Sequence, residues 1–269
     1  MGFKLAAFAD EAASALTDQI KAMKDNGVEL LEIRGVDGKN IDSISESEAK
    51  DIRNKLDDAG IRVWSMGSPF GKITMDDDFT PHLESFKRCI ENAHILGAKH
   101  IRMFSFYGSE GRQAEVFDRL SQFIRASEGE NVILCHENEK GIYGELANGC
   151  LEIHKTFPSI KAVFDPANYI QAGQNIREAW EMINPYVEYM HIKDALPDGK
   201  VVPAGKGVGD LSYLLSEYKG EVLTIEPHLT VFEGFAKLEA ESKTAMDEYS
   251  YPDRMTAFKA ACDALKKLI

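Results

Sequence analysis

Short runs rich in valine, isoleucine, leucine and aromatic residues recur along the whole chain, over 4–10, 28–34, 61–67, 99–105, 131–137, 160–165, 187–193 and 222–226. Most lack strict alternation of apolar and polar residues, which is the pattern of parallel strands covered on both faces. Between them, apolar residues fall at three- and four-residue steps, as in Leu16/Ile20/Met23, Leu83/Phe86/Ile90/Ala93 and Val116/Leu120/Phe123. That spacing predicts amphipathic helices. Ser45 and Glu48 have the spacing of a capping box opening the second helix. Gly27, Gly60, Gly97 and Gly220 stand where helices should stop, and each is expected to be a left-handed cap. Eight strand–helix units in register, with no Pro/Gly/Ser-rich linker, predict a (β/α)8 TIM barrel filling residues 1–269 as one domain. An open doubly wound sheet usually opens on a glycine-rich turn. Here the first turn reads Phe8–Ala9–Asp10–Glu11, without glycine.

Composition narrows the partners. Asp and Glu total 44 against 31 Lys and Arg, a net charge of −13, which repels phosphate backbones and anionic membranes. No apolar stretch approaches the roughly 20 residues of a spanning helix. The N-terminus runs straight into strand-like sequence with no signal-peptide hydrophobic region. Cys89, Cys135, Cys150 and Cys262 show no CxxC spacing, so a reduced, cytoplasmic setting is expected. Neither nucleic acid nor membrane is expected as a partner; a homo-oligomer stays open.

A barrel of this kind carries its chemistry at the C-terminal ends of the strands. The last four strands end in polar residues that packing does not explain: His136–Glu137–Asn138–Glu139, Asp165–Pro166–Ala167–Asn168, His191–Ile192–Lys193–Asp194 and Glu226–Pro227–His228. A lone strand-end carboxylate is more often a helix cap or salt bridge. Four such residues on four successive strands form a different pattern. Glu137, Asp165, His191 and Glu226, if each points inward, converge on one point. Three carboxylates there would raise one another's pKa values unless a cation stood among them. One imidazole with three carboxylates suits Mn2+, Mg2+ or Co2+, with Mn2+ leading, and catalytic Zn2+ also accepts such ligands.

Lys193 and His228 lie two residues beyond His191 and Glu226 and should share their inward faces, as substrate contacts or ion pairs. Asn168 is a substrate contact or a helix cap. Arg102 and Glu32 lie within strands, where a structural ion pair is the simpler reading, with Arg102 also a candidate substrate contact. Lys72 and Trp64 accompany a polar loop, 65–81, long enough to fold over the site. Glu139, His136 and Asp194 read as supporting or capping groups. The glycine-rich 205–210 segment, with Lys206 and Asp210, reads as a flexible loop, phosphate binding being one use of such a turn. The 229–253 segment is long for a strand-to-helix connection and suggests a lid, a dimer contact or a helical insert.

These segments resemble the xylose-isomerase-like barrels that include the sugar phosphate isomerases/epimerases. Ser68–Pro69–Phe70–Gly71–Lys72, Arg102–Met103–Phe104–Ser105 and the glycine-rich loop extend the likeness over nearly the whole chain. The resemblance implies a metal held by Glu137, Asp165, His191 and Glu226, with Glu137 and Glu226 as acid and base on opposite faces of a small-molecule carbohydrate. The implied reaction is proton abstraction and return through a metal-stabilised enediolate. The ketose 3-epimerase branch carries a histidine where Asn168 stands and an arginine soon after the metal histidine, where this chain has Lys193–Asp194. The Asp-Pro-Ala-Asn and Glu-Pro-His forms look more like the branch with epimerases of keto-sugars and keto-glycosides. A metal-dependent dehydratase acting on a keto-sugar or inosose is the alternative. An endonuclease IV-like hydrolase would need more metal-binding histidines than the seven in this chain. A barrel that binds sugar without turnover would be expected to lack a ligand.

Overall fold

In a computed structural model, residues 2–230, 249 and 251–269 are described. Eight strands close into a barrel: β1 (Lys4–Ala7), β2 (Leu30–Ile33), β3 (Arg62–Met66), β4 (His100–Met103), β5 (Ile133–Glu137), β6 (Lys161–Phe164), β7 (Val187–Ile192) and β8 (Val222–Ile225). Each pairs in parallel with its sequence neighbours, and β8 closes on β1. The helices between them are α1 (Leu16–Asp25), α2 (Glu46–Ala59), α3 (Phe79–Leu96), α4 (Gln113–Ser127), α5 (Ala147–Thr156), α6 (Pro166–Gln171), α7 (Ile176–Ile183), α8 (Leu211–Glu217) and α9 (Arg254–Lys266). The predicted TIM barrel is the fold of the protein.

Strand periodicity explains both cores. Ala6, Leu30, Cys135, Val163, Tyr189 and Val222 point inward and form a small cluster inside the barrel. Their neighbours Ala7, Leu31, Leu134, Phe164, Met190 and Leu223 point outward into the layer shared with the helices. A period of two sends alternate residues to opposite faces. Two residues above the inner cluster, the same periodicity therefore delivers Glu32, Glu137, Asp165 and His191 to the interior. Irregularities adjust the register: β2 and β3 shift between Leu31 and Glu32, setting Glu32 opposite Ser65, and β6 and β7 shift so that Val163 meets Tyr189.

The capping box of α2 is formed, with Ser45 and Glu48 bonding each other's backbone, and Gly60 and Gly97 cap α2 and α3 in the left-handed conformation. Gly220 does not. Helix α8 stops earlier, at Glu217, and Gly220 is absent from the positive-φ residues. A Cβ at Gly220 would instead strike the Tyr218 ring and hydroxyl, so close packing is the reason for glycine there. Most of the 229–253 segment, including the expected helix, lies outside the described residues.

Candidate metal centre

Glu137 ends β5, Asp165 follows β6, His191 lies in β7 and Glu226 follows β8. Each offers a ligand atom, and these atoms all lie within 4.8 Å of one another. All four residues are buried. The His191 Nδ1 atom is 3.1 Å from Glu137 Oε1 and 3.4 Å from Glu226 Oε2. Its Nε2 atom faces the other way, 3.1 Å from Glu32 Oε2. Asp165 also caps α6, its Oδ1 accepting the Asn168 backbone N–H at 2.9 Å.

Cations surround the carboxylates. Lys193 Nζ stands 3.0 Å from Asp165 Oδ2 and 3.2 Å from Glu226 Oε2. Arg102 donates to Glu137 Oε2 at 3.0 Å. Arg34 holds Asp10 through two nitrogens, at 2.8 and 3.0 Å, and reaches Glu11 at 3.1 Å and Glu226 Oε1 at 3.3 Å. Burial works to raise the Glu226 carboxyl, but Lys193, His228 and His191 hold it well below the usual range. Asp165 goes the other way. Burial, helped by Glu226 and Glu137, pushes it up to about 7 against the pull of Lys193. The cations at hand therefore do not fully compensate three converging carboxylates. Burial would lower His191, yet Glu137 and Glu32 raise it well above an ordinary imidazole. A hard divalent cation fits this donor set of three carboxylates and one imidazole.

The remaining candidates are engaged with protein partners. Asn168 donates its amide to Glu137 Oε1 at 3.2 Å and to the Asn138 carbonyl at 2.9 Å, so it steadies a proposed ligand. Lys72 pairs with Glu139 at 2.9 Å over the Phe104 ring. His228 Nε2 is 3.3 Å from both Glu226 and Glu11. His136 points away from the cluster and meets Ser105 Oγ at 2.9 Å. Trp64 stacks on His100 near the base of the barrel rather than joining the 65–81 loop. Asp194 anchors the glycine-rich loop, its carboxylate accepting the backbone N–H groups of Ala195, Gly205, Gly207 and Gly209, each at 2.9 Å. A Cβ at Gly207 would collide with Ala195 O and Asp194 Oδ1. The loop amides a phosphate would need are thus occupied by an internal carboxylate.

One group escaped sequence reasoning. Arg34, with Asp10 and Glu11, forms an ion-pair network that reaches Glu226, and the three residues meet only because β1 adjoins both β2 and β8. Glu32, expected in a structural ion pair, contacts His191 Nε2 and accepts the Tyr189 hydroxyl. A charged residue inside an apolar strand was the available signal.

The family model for the xylose isomerase-like TIM barrel matches residues 20–265. No curated protein matches the chain. Among solved structures, the chain is similar to the IOLI protein with a bound zinc atom, at 18% identity over 98% of this chain and 97% of that one, TM-score 0.76. It is similar to the probable 3-DHS dehydratase AsbF of Bacillus anthracis, at 15% identity over 99% of both chains, TM-score 0.74. It is also similar to an L-ribulose 3-epimerase, at 16% identity over 100% of this chain and 94% of that one, TM-score 0.74. At these identities the likeness is one of fold. Among the described residues no helix is long and apolar enough to cross a membrane.

Proposed function

The chain belongs to the xylose isomerase-like TIM barrel family, and from that premise we propose that it is a divalent-metal-dependent isomerase or epimerase of a sugar or keto-sugar. The observation that carries the reading is the convergence of Glu137, Asp165, His191 and Glu226 within one coordination-sized space. These four would hold the ion. Mn2+ is the leading expectation for an oxygen-rich set, and Zn2+ is the second, since a zinc atom sits in the structurally similar IOLI protein.

When bound, the ion would polarise the substrate carbonyl and stabilise the negative charge left by proton removal. Glu137 and Glu226 carry the proton chemistry. They stand three strands apart around the barrel and so approach a bound substrate from different sides. One takes the proton from the carbon beside the carbonyl, and the other returns a proton to the opposite face or the neighbouring atom. Arg102 orients Glu137 through Oε2, and Arg34 orients Glu226 through Oε1. The buried Arg102 Nε–H has no hydrogen-bond partner among the described residues, which supports Arg102 as a donor to a substrate oxygen. Lys193, beside Asp165 and Glu226, would face the same oxygens. Asn168, His228 and Lys72 act at one remove, through the carboxylates they hold.

The test is incubation of metal-loaded protein in D2O with ketoses, keto-glycosides and inososes. Deuterium entering the carbon beside the carbonyl, with the skeleton retained, supports the proposal. Loss of water identifies a dehydratase instead. If no divalent metal binds and Glu137→Gln leaves turnover unchanged, the proposal is wrong.

A further inference from the structure

An imidazole that ligates a metal through one nitrogen must carry its proton on the other, and whatever accepts that proton decides which nitrogen is free. His191 Nδ1 faces Glu137 and Glu226, and its Nε2 faces Glu32 at 3.1 Å. A carboxylate can only accept. Glu137 accepts at Nδ1 in the same way, at 3.1 Å, and a cation that ligates His191 would displace that proton; Glu32 then keeps the proton on Nε2 and leaves the Nδ1 lone pair to the cation.

Glu32 is itself held. Its second oxygen accepts the Tyr189 hydroxyl at 2.8 Å, and Ser65 Oγ lies 3.1 Å from that hydroxyl. Glu32, Ser65, Tyr189 and His191 all have 0% exposure. The register supports the same relay from the backbone side. The irregularity between β2 and β3 places Ser65 opposite Glu32, and the one between β6 and β7 falls immediately before Tyr189. Such irregularities re-aim side chains. The Phe8 ring meets the imidazole edge-on at 5.1 Å and 81°, restraining it from the side.

We propose that Glu32 is a positioning residue of the metal centre, with Tyr189 and Ser65 as its support, selecting Nδ1 of His191 as the ligating atom. The inference rests on the reading of His191 as a ligand, and the experiment separates the two. Zn2+ affinity is measured by competition with a chromophoric chelator for wild type, His191→Ala, Glu32→Ala and Glu32→Gln. In parallel, 15N spectra of Zn2+-loaded wild type report which ring nitrogen of His191 carries the proton. Glu32→Ala should weaken Zn2+ binding about 10- to 100-fold, the range for removing the outer partner of a ligating histidine. Glu32→Gln, whose amide oxygen still accepts from Nε2–H, should recover much of that loss, which a purely structural role would not predict. The proton should appear on Nε2. A proton on Nδ1, or Glu32→Ala and Glu32→Gln both binding Zn2+ within twofold of wild type, overturns the role of Glu32. If His191→Ala also binds like wild type, the assigned metal centre falls with it. If Glu32→Ala does not fold, Glu32→Gln and the wild-type spectra still decide.

Discussion

The glycine-rich loop offers a sharp test because its anchor is a single carboxylate. Replacing Asp194 by alanine removes the acceptor of four backbone N–H groups. Two of those bonds, from Ala195 and Gly209, are buried, and the others are partly open to water. A buried donor left without a partner costs about 1–3 kcal/mol, so the buried pair accounts for about 2–6 kcal/mol. The partly exposed pair can turn to water and adds little. Against this, burial raises the Asp194 carboxyl despite its four donors, so removing the charge recovers part of its desolvation penalty. The net expectation is a loss of about 3 kcal/mol. Asp194→Asn keeps one acceptor oxygen but turns an amide NH2 toward N–H donors, and should fall between wild type and alanine. Urea unfolding at pH 7 measures both, and hydrogen exchange should find the Gly207 and Gly209 amides protected only while the carboxylate is present. A change below about 0.5 kcal/mol, the level of an ordinary surface substitution, would refute the anchoring role. Stabilisation of wild type by inorganic phosphate, with those amides as its contacts, would refute it as well.

Lys193→Met leaves Asp165 and Glu226 without the ammonium between them; breaking a buried pair costs about 3–5 kcal/mol, so the metal-free variant should melt lower. Saturating Zn2+ should then raise its Tm more than it raises that of wild type, because the ammonium holds Asp165 and Glu226 oxygens that the ion would take, and equal gains in calorimetry would refute this. His82 accepts the Gly71 N–H at 2.8 Å and is held neutral, burial and then Arg119 lowering it to about 4. Its unfolded pKa is near 6.5, so the unfolded chain binds the extra proton between those values and stability falls as the pH drops through that window. His82→Gln, which keeps an acceptor but cannot titrate, should lose stability less steeply from pH 6.5 to 4 by about one proton's worth of slope. Parallel slopes in urea titrations would refute this.

The barrel was legible because each strand announces itself as a short apolar run and each helix as a three–four repeat, and neither signal needs a long-range partner. The ends were less legible. The run 4–10 stops as a strand at Ala7, and Ala9–Glu11 form a 3-10 turn instead. The convergence of Glu137, Asp165, His191 and Glu226 could be anticipated from strand-end position alone. The partners of Lys193 and Asn168 could not. Whether such a side chain faces a substrate or a neighbouring carboxylate depends on sub-ångström placement across adjacent strands. Glu32 was harder still, since a carboxylate within a strand reads as any buried ion pair until the register of β2 and β3 is known. The glycine-rich loop misled for a related reason: its anion lies upstream in the chain, at Asp194, and composition does not reveal that the loop folds back onto it.

Charges at the barrel mouth pair across its two halves. Arg34 follows β2, Lys72 lies in the loop after β3 and Arg102 lies in β4, while Glu137 ends β5, Asp165 follows β6 and Glu226 follows β8. Each cation in the first half reaches a carboxylate in the second: Arg34 to Glu226, Lys72 to Glu139 and Arg102 to Glu137. Two aromatic rings hold these cations in place. Arg34 lies 4.4 Å from the Phe8 centroid, Arg102 lies 5.1 Å from Phe8 and 4.8 Å from Phe104, and Lys72 lies 4.3 Å from Phe104. Cations stacked on aromatic faces in a buried setting keep their orientation. The carboxylates are therefore oriented by fixed charges before any ion arrives. On the proposed reading, the ion meets a site whose repulsion is already partly relieved from outside. The remaining stress is concentrated on Asp165, the carboxyl that burial and its neighbours push up to about 7. It borders the space the proposed ligands enclose, where a divalent cation would relieve that stress most directly.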